Sequence, residues 1–290
     1  MMNSETSEKS WSYNEQRMLK YMLEHDGMQH MRYFFKHREG TPMIRNWHHY
    51  VIEYVLQAVY DCKINRLIIN VAPGYSKTEQ VVLNFITRGL AINPRSKYIH
   101  ASYSADLAHE NSSKIKECIQ SQPFQQLWPM AVRTDTKGKK RWFTEQGGGM
   151  MAAAAGGQIT GFRAGRMVRP GGIDNPFTGA LVIDDALKPD DAYSTPKRNA
   201  VNNRINNTFK SRLAVDTVPI IVNGQRLTDD DISGYLLKGG SGDDWYHLRI
   251  PTMLDEKTLS KPYPEKYTHG IEIRIAEVLK CLREGVDYDF

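Results

Sequence analysis

The spacing of apolar and polar residues divides the chain into alternating strands and helices. From Asn46 to Tyr60 apolar residues recur every three or four positions, which predicts one helix with a buried stripe. Residues 66–71 form a short apolar run typical of a strand, which ends at Ala72-Pro73-Gly74. Helical spacing resumes at 77–83. The local order is therefore strand, tight turn, helix.

The same rhythm continues through most of the chain. Further strands are predicted at 97–102, 180–183, 218–223 and 245–250, the last of the chain, and further helices at 106–120, 194–213, 231–237 and 271–283. Strands that alternate with helices favour a parallel sheet covered on both faces. Residues 133–180 are glycine-rich and basic, which predicts hairpins and mobile loops there.

Composition narrows the class of protein. With 290 residues, 40% of them hydrophobic and 24% charged, the chain is typical of a globular protein of one large or two small domains. Apolar runs stay well short of the roughly 18 residues of a membrane span, and Met1 to Ser10 is polar, so we expect an unsecreted, soluble protein without membrane contact. Cys62, Cys118 and Cys281 are widely spaced, which argues against a disulfide framework or a zinc site.

The net charge of +5 is compatible with a polyanionic partner, although solvated surfaces explain it equally well. The basic residues fall into three clusters. These are Lys137, Lys139, Lys140 and Arg141; Arg163, Arg166 and Arg169; and Lys197, Arg198, Arg204, Lys210 and Arg212.

A candidate phosphate-binding loop lies between the strand at 66–71 and the next helix. In a P-loop, backbone N–H groups surround phosphate oxygens, a Lys neutralises their charge and the next hydroxyl ligates Mg²⁺. Lys77 and Thr78 fit the last two roles. Val71 and Ser76 stand where glycines are expected, and only Gly74 remains in the turn. The alternative is an ordinary surface helix that begins at Lys77.

A second candidate element follows the apolar strand at 180–183. Asp184 and Asp185 come directly after it, at the edge of the sheet where α/β proteins bind ligands. Asp184 is a candidate Mg²⁺ ligand and Asp185 a candidate group to polarise an attacking water. Adjacent acids also cap helices, which is the alternative.

Three segments together resemble the ATPase domain of tailed-bacteriophage terminase large subunits, over about residues 40–290. The family's variant P-loop is matched by Ala72-Pro73-Gly74-Tyr75-Ser76-Lys77-Thr78-Glu79, and its acidic strand motif by Leu181-Val182-Ile183-Asp184-Asp185-Ala186-Leu187-Lys188. A later strand followed by Gly-x-Arg, acids and Gly is matched between Pro219 and Gly234. The family's arginine, histidine and glycine are replaced by Gly74, Tyr75 and Ser76, so we expect an altered loop backbone or charge from another residue.

The resemblance implies a RecA-like (ASCE) P-loop NTPase: an α/β fold with a mostly parallel central sheet flanked by helices. It implies a Mg²⁺-dependent ATPase that moves double-stranded viral DNA into a procapsid. Its partners would be the portal protein, the small terminase subunit and further copies in a ring, in the host cytoplasm. The implied organisation is an N-terminal helical or flexible segment (1–45), the ATPase domain (46–255) and a linker (256–290) toward a nuclease domain. We expect no nuclease activity from this chain alone.

The resemblance also implies roles for single residues. Trp47 and His48 would lie at the adenine, and Pro73, Gly74, Tyr75, Ser76, Lys77, Thr78 and Glu79 around the phosphates. Gln225 and Arg226 would sense the γ-phosphate, and Arg163 or Arg166 would act as a finger in a neighbouring subunit. For each, a purely structural or surface role is the alternative. A helicase-like ATPase and a nucleotide-binding scaffold without catalysis are the alternative functions.

Overall fold

The computed structural model describes residues 11–136, 138–157, 159–167 and 177–290. Strands in these residues form one eight-stranded sheet. They are β1 (Arg66–Asn70), β2 (Lys97–Ser102), β3 (Arg141–Phe143), β4 (Gly149–Ala154), β5 (Leu181–Asp184), β6 (Ile220–Gly224), β7 (Trp245–Arg249) and β8 (Gly270–Ile273). Their order across the sheet is β3-β4-β2-β5-β6-β1-β7-β8. Every neighbouring pair is parallel except β3 and β4, which form an antiparallel hairpin.

Helices cover the sheet. They are α1 (Tyr13–His25), α2 (Gly27–Glu39), α3 (Trp47–Tyr60), α4 (Phe85–Ile92), α5 (Ala105–Gln120), α6 (Gln122–Leu127), α7 (Thr195–Arg204), α8 (Ile232–Leu237), α9 (Glu256–Leu259) and α10 (Ile275–Glu284). Two π-helical segments, Glu79–Asn84 and Ile205–Phe209, precede α4 and follow α7. Across the described part of the chain, none of the helices has the length and apolar character needed to cross a membrane.

The two faces of the sheet bury separate cores. In β1, Leu67 and Ile69 belong to the core under α3, α4 and α5, whereas Ile68 belongs to the core under α7 and α8. This follows from the alternation of side chains along a strand, and both faces are buried because parallel sheets are packed on both sides. The predicted fold class, α/β with a mostly parallel central sheet flanked by helices, is confirmed.

The N-terminal helices are tied to the helix that follows the candidate phosphate loop. Arg88 of α4 is fully buried, and its guanidinium donates to Glu53 of α3 at 2.9 Å and to the Glu24 carbonyl of α1 at 2.9 Å. Burial raises the pKa of Glu53, and the Arg88 charge opposes that shift. Removal of Arg88 or of Glu53 would leave a buried charge unpaired. The contacts of Arg88 with Glu53 and with the Glu24 carbonyl therefore fix α3 and α1 relative to α4.

Two predictions at the sheet edges need correction. The strand at Trp245–Arg249 is not the last, because Gly270–Ile273 adds β8 beside it. In the stretch 133–180 the predicted hairpin exists, but its second strand, β4, is also a parallel partner of β2 in the sheet interior. Residues 137, 158 and 168–176, and with them Gly171 and Gly172 of the glycine-rich stretch 133–180, lie outside the described residues.

The predicted domain boundaries stay a prediction. Within the segment assigned to a linker, 256–290, β8 extends the sheet and α10 packs against α3. The segment assigned to the N-terminus, 1–45, contains α1 and α2.

Candidate functional site

The carboxyl ends of three parallel strands bring the predicted site residues together. At the end of β5, Asp184 is in register with Asn223 of β6, and the end of β1, Asn70, is in register with Gly224. The loop that follows β1 therefore faces the carboxylates that follow β5, at the edge where α/β sheets bind ligands.

The Lys-Thr pair contacts both acids. The Lys77 Nζ lies 3.1 Å from an oxygen of Asp185, and the Thr78 hydroxyl donates to Asp184 at 2.7 Å. Lys77 is 8% exposed, so its ammonium is held inside the loop rather than in solvent. The structure thus joins residues that are more than 100 positions apart in the sequence, as the two motifs together predicted.

Asp184 is the most perturbed carboxyl group of the site. It is 4% exposed and accepts hydrogen bonds from Thr78 and, at 2.6 Å, from the Asn223 side-chain amide. Burial, reinforced by the negative charge of Asp185, raises the pKa of Asp184 to about 6, against the opposing effects of Thr78, Asn223 and Lys77. A buried carboxylate that is costly to ionise is stabilised by a cation beside it.

Two residues of the site have left-handed backbones without being glycine. Ser76 has φ +56° and Asp185 has φ +44°. Asp185 is held there by hydrogen bonds of its N–H to the Asn223 carbonyl at 2.9 Å and of its carbonyl to the Tyr103 N–H at 3.0 Å. Such conformations cost about 1 kcal/mol or more and concentrate at functional sites. Ser76 therefore keeps the conformation that glycine would favour at this position of the loop.

The tip of the loop packs on neighbouring elements. Gly74 turns the chain with φ +82°, and the Tyr75 hydroxyl donates to the Thr252 carbonyl at 2.9 Å. The Tyr75 ring lies 4.8 Å from the ring of His48, which is buried and in edge contact with Trp47. Trp47 and His48 thus support the loop from the start of α3; their predicted contact with a base stays a prediction.

Glu79 is turned toward the N-terminal helices. Its carboxylate pairs with Arg38 of α2 at 2.6 Å, and burial raises its pKa while Arg38 opposes the shift. Glu79 also begins the π-helical segment, a geometry that often occurs at functional sites. The pair anchors the helix behind Lys77 and Thr78 to α2.

The segment after β6 forms a preorganised loop. Arg226 donates to Asp231 at 3.0 Å and to the Thr228 carbonyl at 3.0 Å, and it also bonds the Tyr267 hydroxyl. Asp231 in turn caps α8 by accepting from the Gly234 N–H. Arg226 is therefore fixed by its own chain, and Gln225 lies beside it on the wall of a cavity that borders the phosphate loop. Their predicted sensor role stays a prediction.

The two candidate finger arginines lie near the β3–β4 hairpin. Arg163 is exposed, and the guanidinium of Arg166 donates to the Gly147 carbonyl at 2.9 Å. Among the described residues, neither arginine contacts Lys77, Thr78 or the two acids. Arg169 lies outside the described residues.

The donors at the site suit a hard cation. Thr78 and Asp184 offer a hydroxyl and a carboxylate oxygen, the ligand types that Mg²⁺ takes beside phosphate oxygens and water. No group of three or more His, Cys, Asp or Glu residues able to hold a metal occurs among the described residues. A Mg²⁺ site that is completed by a nucleotide does not need such a group.

Sequence reasoning missed two partners of the site. Asn223, predicted only as part of the strand at 218–223 and of the terminase-like segment Pro219–Gly234, donates to the metal-ligand candidate Asp184, and Arg38 pairs with Glu79. Asn223 meets Asp184 because β6 is the neighbour of β5 and the two residues are in register. The sequence pattern reveals neither the pairing nor the register. Arg38 carries no local signal, because its partner lies 41 residues away.

The fold and site define an α/β protein with a Lys-Thr loop facing two carboxylates at the carboxyl edge of a parallel sheet. No protein-family model and no curated protein sequence matches the chain. Among solved structures, the crystal structure of the HK97 bacteriophage large terminase is similar, with a TM-score of 0.47 and 14% sequence identity. The alignment covers 84% of this chain and 48% of the HK97 chain, so this chain spans about half the length of that protein.

Proposed function

We propose that this chain is the ATP-hydrolysing motor domain of a viral DNA-packaging terminase large subunit. The observation that carries the proposal is the pair of contacts at the sheet edge, Lys77 to Asp185 at 3.1 Å and Thr78 to Asp184 at 2.7 Å. A lysine and a hydroxyl at the start of a helix, facing two carboxylates, are the groups that phosphoryl transfer from a nucleotide requires. The three terminase-like motifs, in the family's order, support the specific assignment.

The contacts give each group a task in ATP hydrolysis. The ammonium of Lys77 exchanges its Asp185 partner for β- and γ-phosphate oxygens, which releases the Asp185 carboxylate to orient the attacking water. Thr78 and Asp184 would hold Mg²⁺, and Asn223 keeps the Asp184 carboxylate in place. The metal, when bound, neutralises charge on the transferring phosphoryl group. Gln225, the first residue after β6, would report the state of the γ-phosphate.

The arrangement of the basic clusters supports double-stranded DNA as the partner. The Arg141 guanidinium lies beside Gly161, the side chain of Arg204 donates to the carbonyls of Gly156 and Gly157, and Ala164 pairs with Leu213. Arg141, Arg204 and the segment around Ala164, which represent the three clusters among the described residues, are therefore neighbours near the end of β4. A basic surface formed by them would bind phosphates without reading sequence.

Assembly is part of the same proposal. Copies of the chain form a ring on the portal of a procapsid, together with the small terminase subunit, in the host cytoplasm. Exposed Arg163, or Arg166, would then reach the phosphates in a neighbouring copy. The terminase-like order of motifs supports this part of the proposal.

The deciding experiment is ATP turnover with Mg²⁺, with and without double-stranded DNA. Asp185→Asn is expected to lower turnover by about 10²- to 10⁴-fold, because it removes the group that orients the water. Asp190→Asn changes an exposed acid five residues further on and serves as the matched control. Equal turnover in Asp185→Asn and wild type would contradict the assignment of the water-orienting role.

Two outcomes distinguish the alternatives. ATP binding without turnover, even after assembly on DNA, would identify a scaffold rather than a motor. Turnover coupled to separation of the strands of a duplex would identify a helicase-like enzyme, since a packaging motor leaves the duplex intact.

A further inference from the structure

A large cavity borders the phosphate loop and extends from Gln225 and Arg226, which follow β6, past the end of β7 to the end of β8. Its volume is about 920 Å³, within the range of small-molecule sites. One wall is the first half of the loop, from Val71 to Pro73, and the opposite wall is the end of β8 with the start of α10. Its floor includes Arg249 at the end of β7.

The strand order places this cavity along the line of a bound nucleotide. Asp184 and Asp185 follow β5, two strands to one side of β1, whereas β7 and β8 lie on the other side. The γ-phosphate must face the acids, so the remainder of the nucleotide leads away from β5 across the phosphate loop. Adjacent strands are about 4.8 Å apart, so β8 lies about 10 Å from β1 in that direction.

The walls suit a nucleoside. Apolar side chains of Pro73, Pro251 and Ile275 line the cavity, which is the surface that a base prefers. Arg249 is held by Glu272 and lies over the Tyr263 ring, 5.1 Å from its centroid. Its buried Nε has no hydrogen-bond partner among the described residues. A fixed donor without an acceptor costs free energy until a ligand supplies one.

We propose that this cavity holds the ribose and base of the triphosphate, with the Nε of Arg249 donating to an acceptor on the base. The inference rests on the proposed function, because it extends the same nucleotide beyond the phosphates. It differs from the family-based assignment of the base to Trp47 and His48, neither of which lines the cavity. Those two residues instead support Tyr75 in the loop.

The test fills the cavity and compares two ligands. Ala276→Trp places an indole at the cavity wall from an exposed position of α10. Glu284→Trp, exposed at the far end of the same helix, is the control. Calorimetry with Mg²⁺ measures binding of ATP and of inorganic tripolyphosphate, which lacks the nucleoside. We expect Ala276→Trp to bind ATP at least ten-fold more weakly and tripolyphosphate within two-fold of wild type, and the control to match wild type for both.

Two further variants sharpen the result. Arg249→Lys keeps the charge but lacks the Nε donor, and is expected to weaken ATP binding about five-fold while tripolyphosphate binding is unchanged. Trp47→Ala is expected to leave the ratio of the ATP affinity to the tripolyphosphate affinity unchanged. If the base bound at Trp47, this ratio would fall.

The outcomes separate this inference from the proposed function. Unchanged ATP binding by Ala276→Trp, or an equal loss of both ligands, overturns the placement of the nucleoside. If wild type binds tripolyphosphate and binds ATP no more tightly, the inference fails but the phosphate site remains supported. If wild type binds neither ligand, the proposed function fails and the inference fails with it.

Discussion

Replacement of Asp184 by Asn should stabilise the ligand-free protein and, if the proposed function holds, abolish ATP turnover. The carboxyl group is 4% exposed and its pKa is raised to about 6 from 3.8, mainly by burial. Ionisation at pH 7 therefore costs the folded state about 3 kcal/mol. Asn is isosteric and carries no charge, its amide oxygen still accepts from Asn223, and the Thr78 hydroxyl can turn to accept from the new amide. We expect a gain of about 2 kcal/mol in unfolding free energy at pH 7, because the hydrogen bonds are not fully matched.

The dependence on pH gives the sharper measurement. Between the two pKa values the folded wild type binds more protons than the unfolded chain, so this group's contribution to stability is present at low pH. That contribution is lost as pH rises toward 6 and above. From pH 7 to pH 5 wild type should regain about 1 kcal/mol that Asp184→Asn cannot regain. Urea unfolding of both proteins at both pH values gives this difference, in which groups common to both proteins largely cancel.

Asp184→Asn should also change how the protein responds to ligands. If Mg²⁺ and nucleotide bind as proposed, they require the ionised carboxylate, so they should stabilise wild type and leave Asp184→Asn nearly unaffected. A stability difference between the two proteins that is identical at pH 5 and pH 7 would refute the claim that burial raises the pKa of Asp184.

Other predictions concern the supports around the site and the basic surface. Arg38→Ala should destabilise the fold by about 2 kcal/mol in urea unfolding, since it leaves Glu79 partly buried and unpaired, whereas the double variant with Glu79→Ala should recover part of that loss. Gly149→Ala should lower the melting temperature strongly, because an added Cβ would lie 2.3 Å from the Trp142 carbonyl oxygen. Gly156→Ala, with open space at that position, should change it little. Arg163→Ala should weaken DNA binding equally for all sequences and reduce the slope of log K against log salt by about 0.9 per lost phosphate contact; an unchanged slope would remove Arg163 from the DNA surface.

Sequence patterns predicted the central strands because their residues are buried on both faces. The runs at 66–71 and 180–183 are continuous and β-branched, so β1 and β5 and the acids after them could be placed at one edge. Edge and hairpin strands gave weaker signals. β8 is only four residues long and runs almost directly into α10, and its Ile271 is 44% exposed, so the segment reads as part of the helix.

The residue composition of β4 did not predict a strand. β4 is built largely from Met and Ala, which are not typical strand residues, and it forms because β2 and β3 pair with it on both sides. Contacts between side chains were harder to predict from the sequence than the strands. That Asn223 meets Asp184 depends on the register of β5 and β6, and that Arg226 bonds Tyr267 depends on a loop 41 residues further along.

If the chain binds nucleotide as proposed, the ion pair between Lys77 and Asp185 competes with the incoming phosphates. A carboxylate tethered 3.1 Å from the ammonium would occupy the place of an incoming anion at a high effective concentration. The apparent affinity for nucleotide would then be reduced by the fraction of molecules in which this pair is closed. Asp185→Asn, which opens the pair, should therefore bind nucleotide more tightly and turn it over more slowly. Recapture of the lysine after each cycle would also favour release of the spent nucleotide, so one residue would serve both the chemical step and the exit of its product.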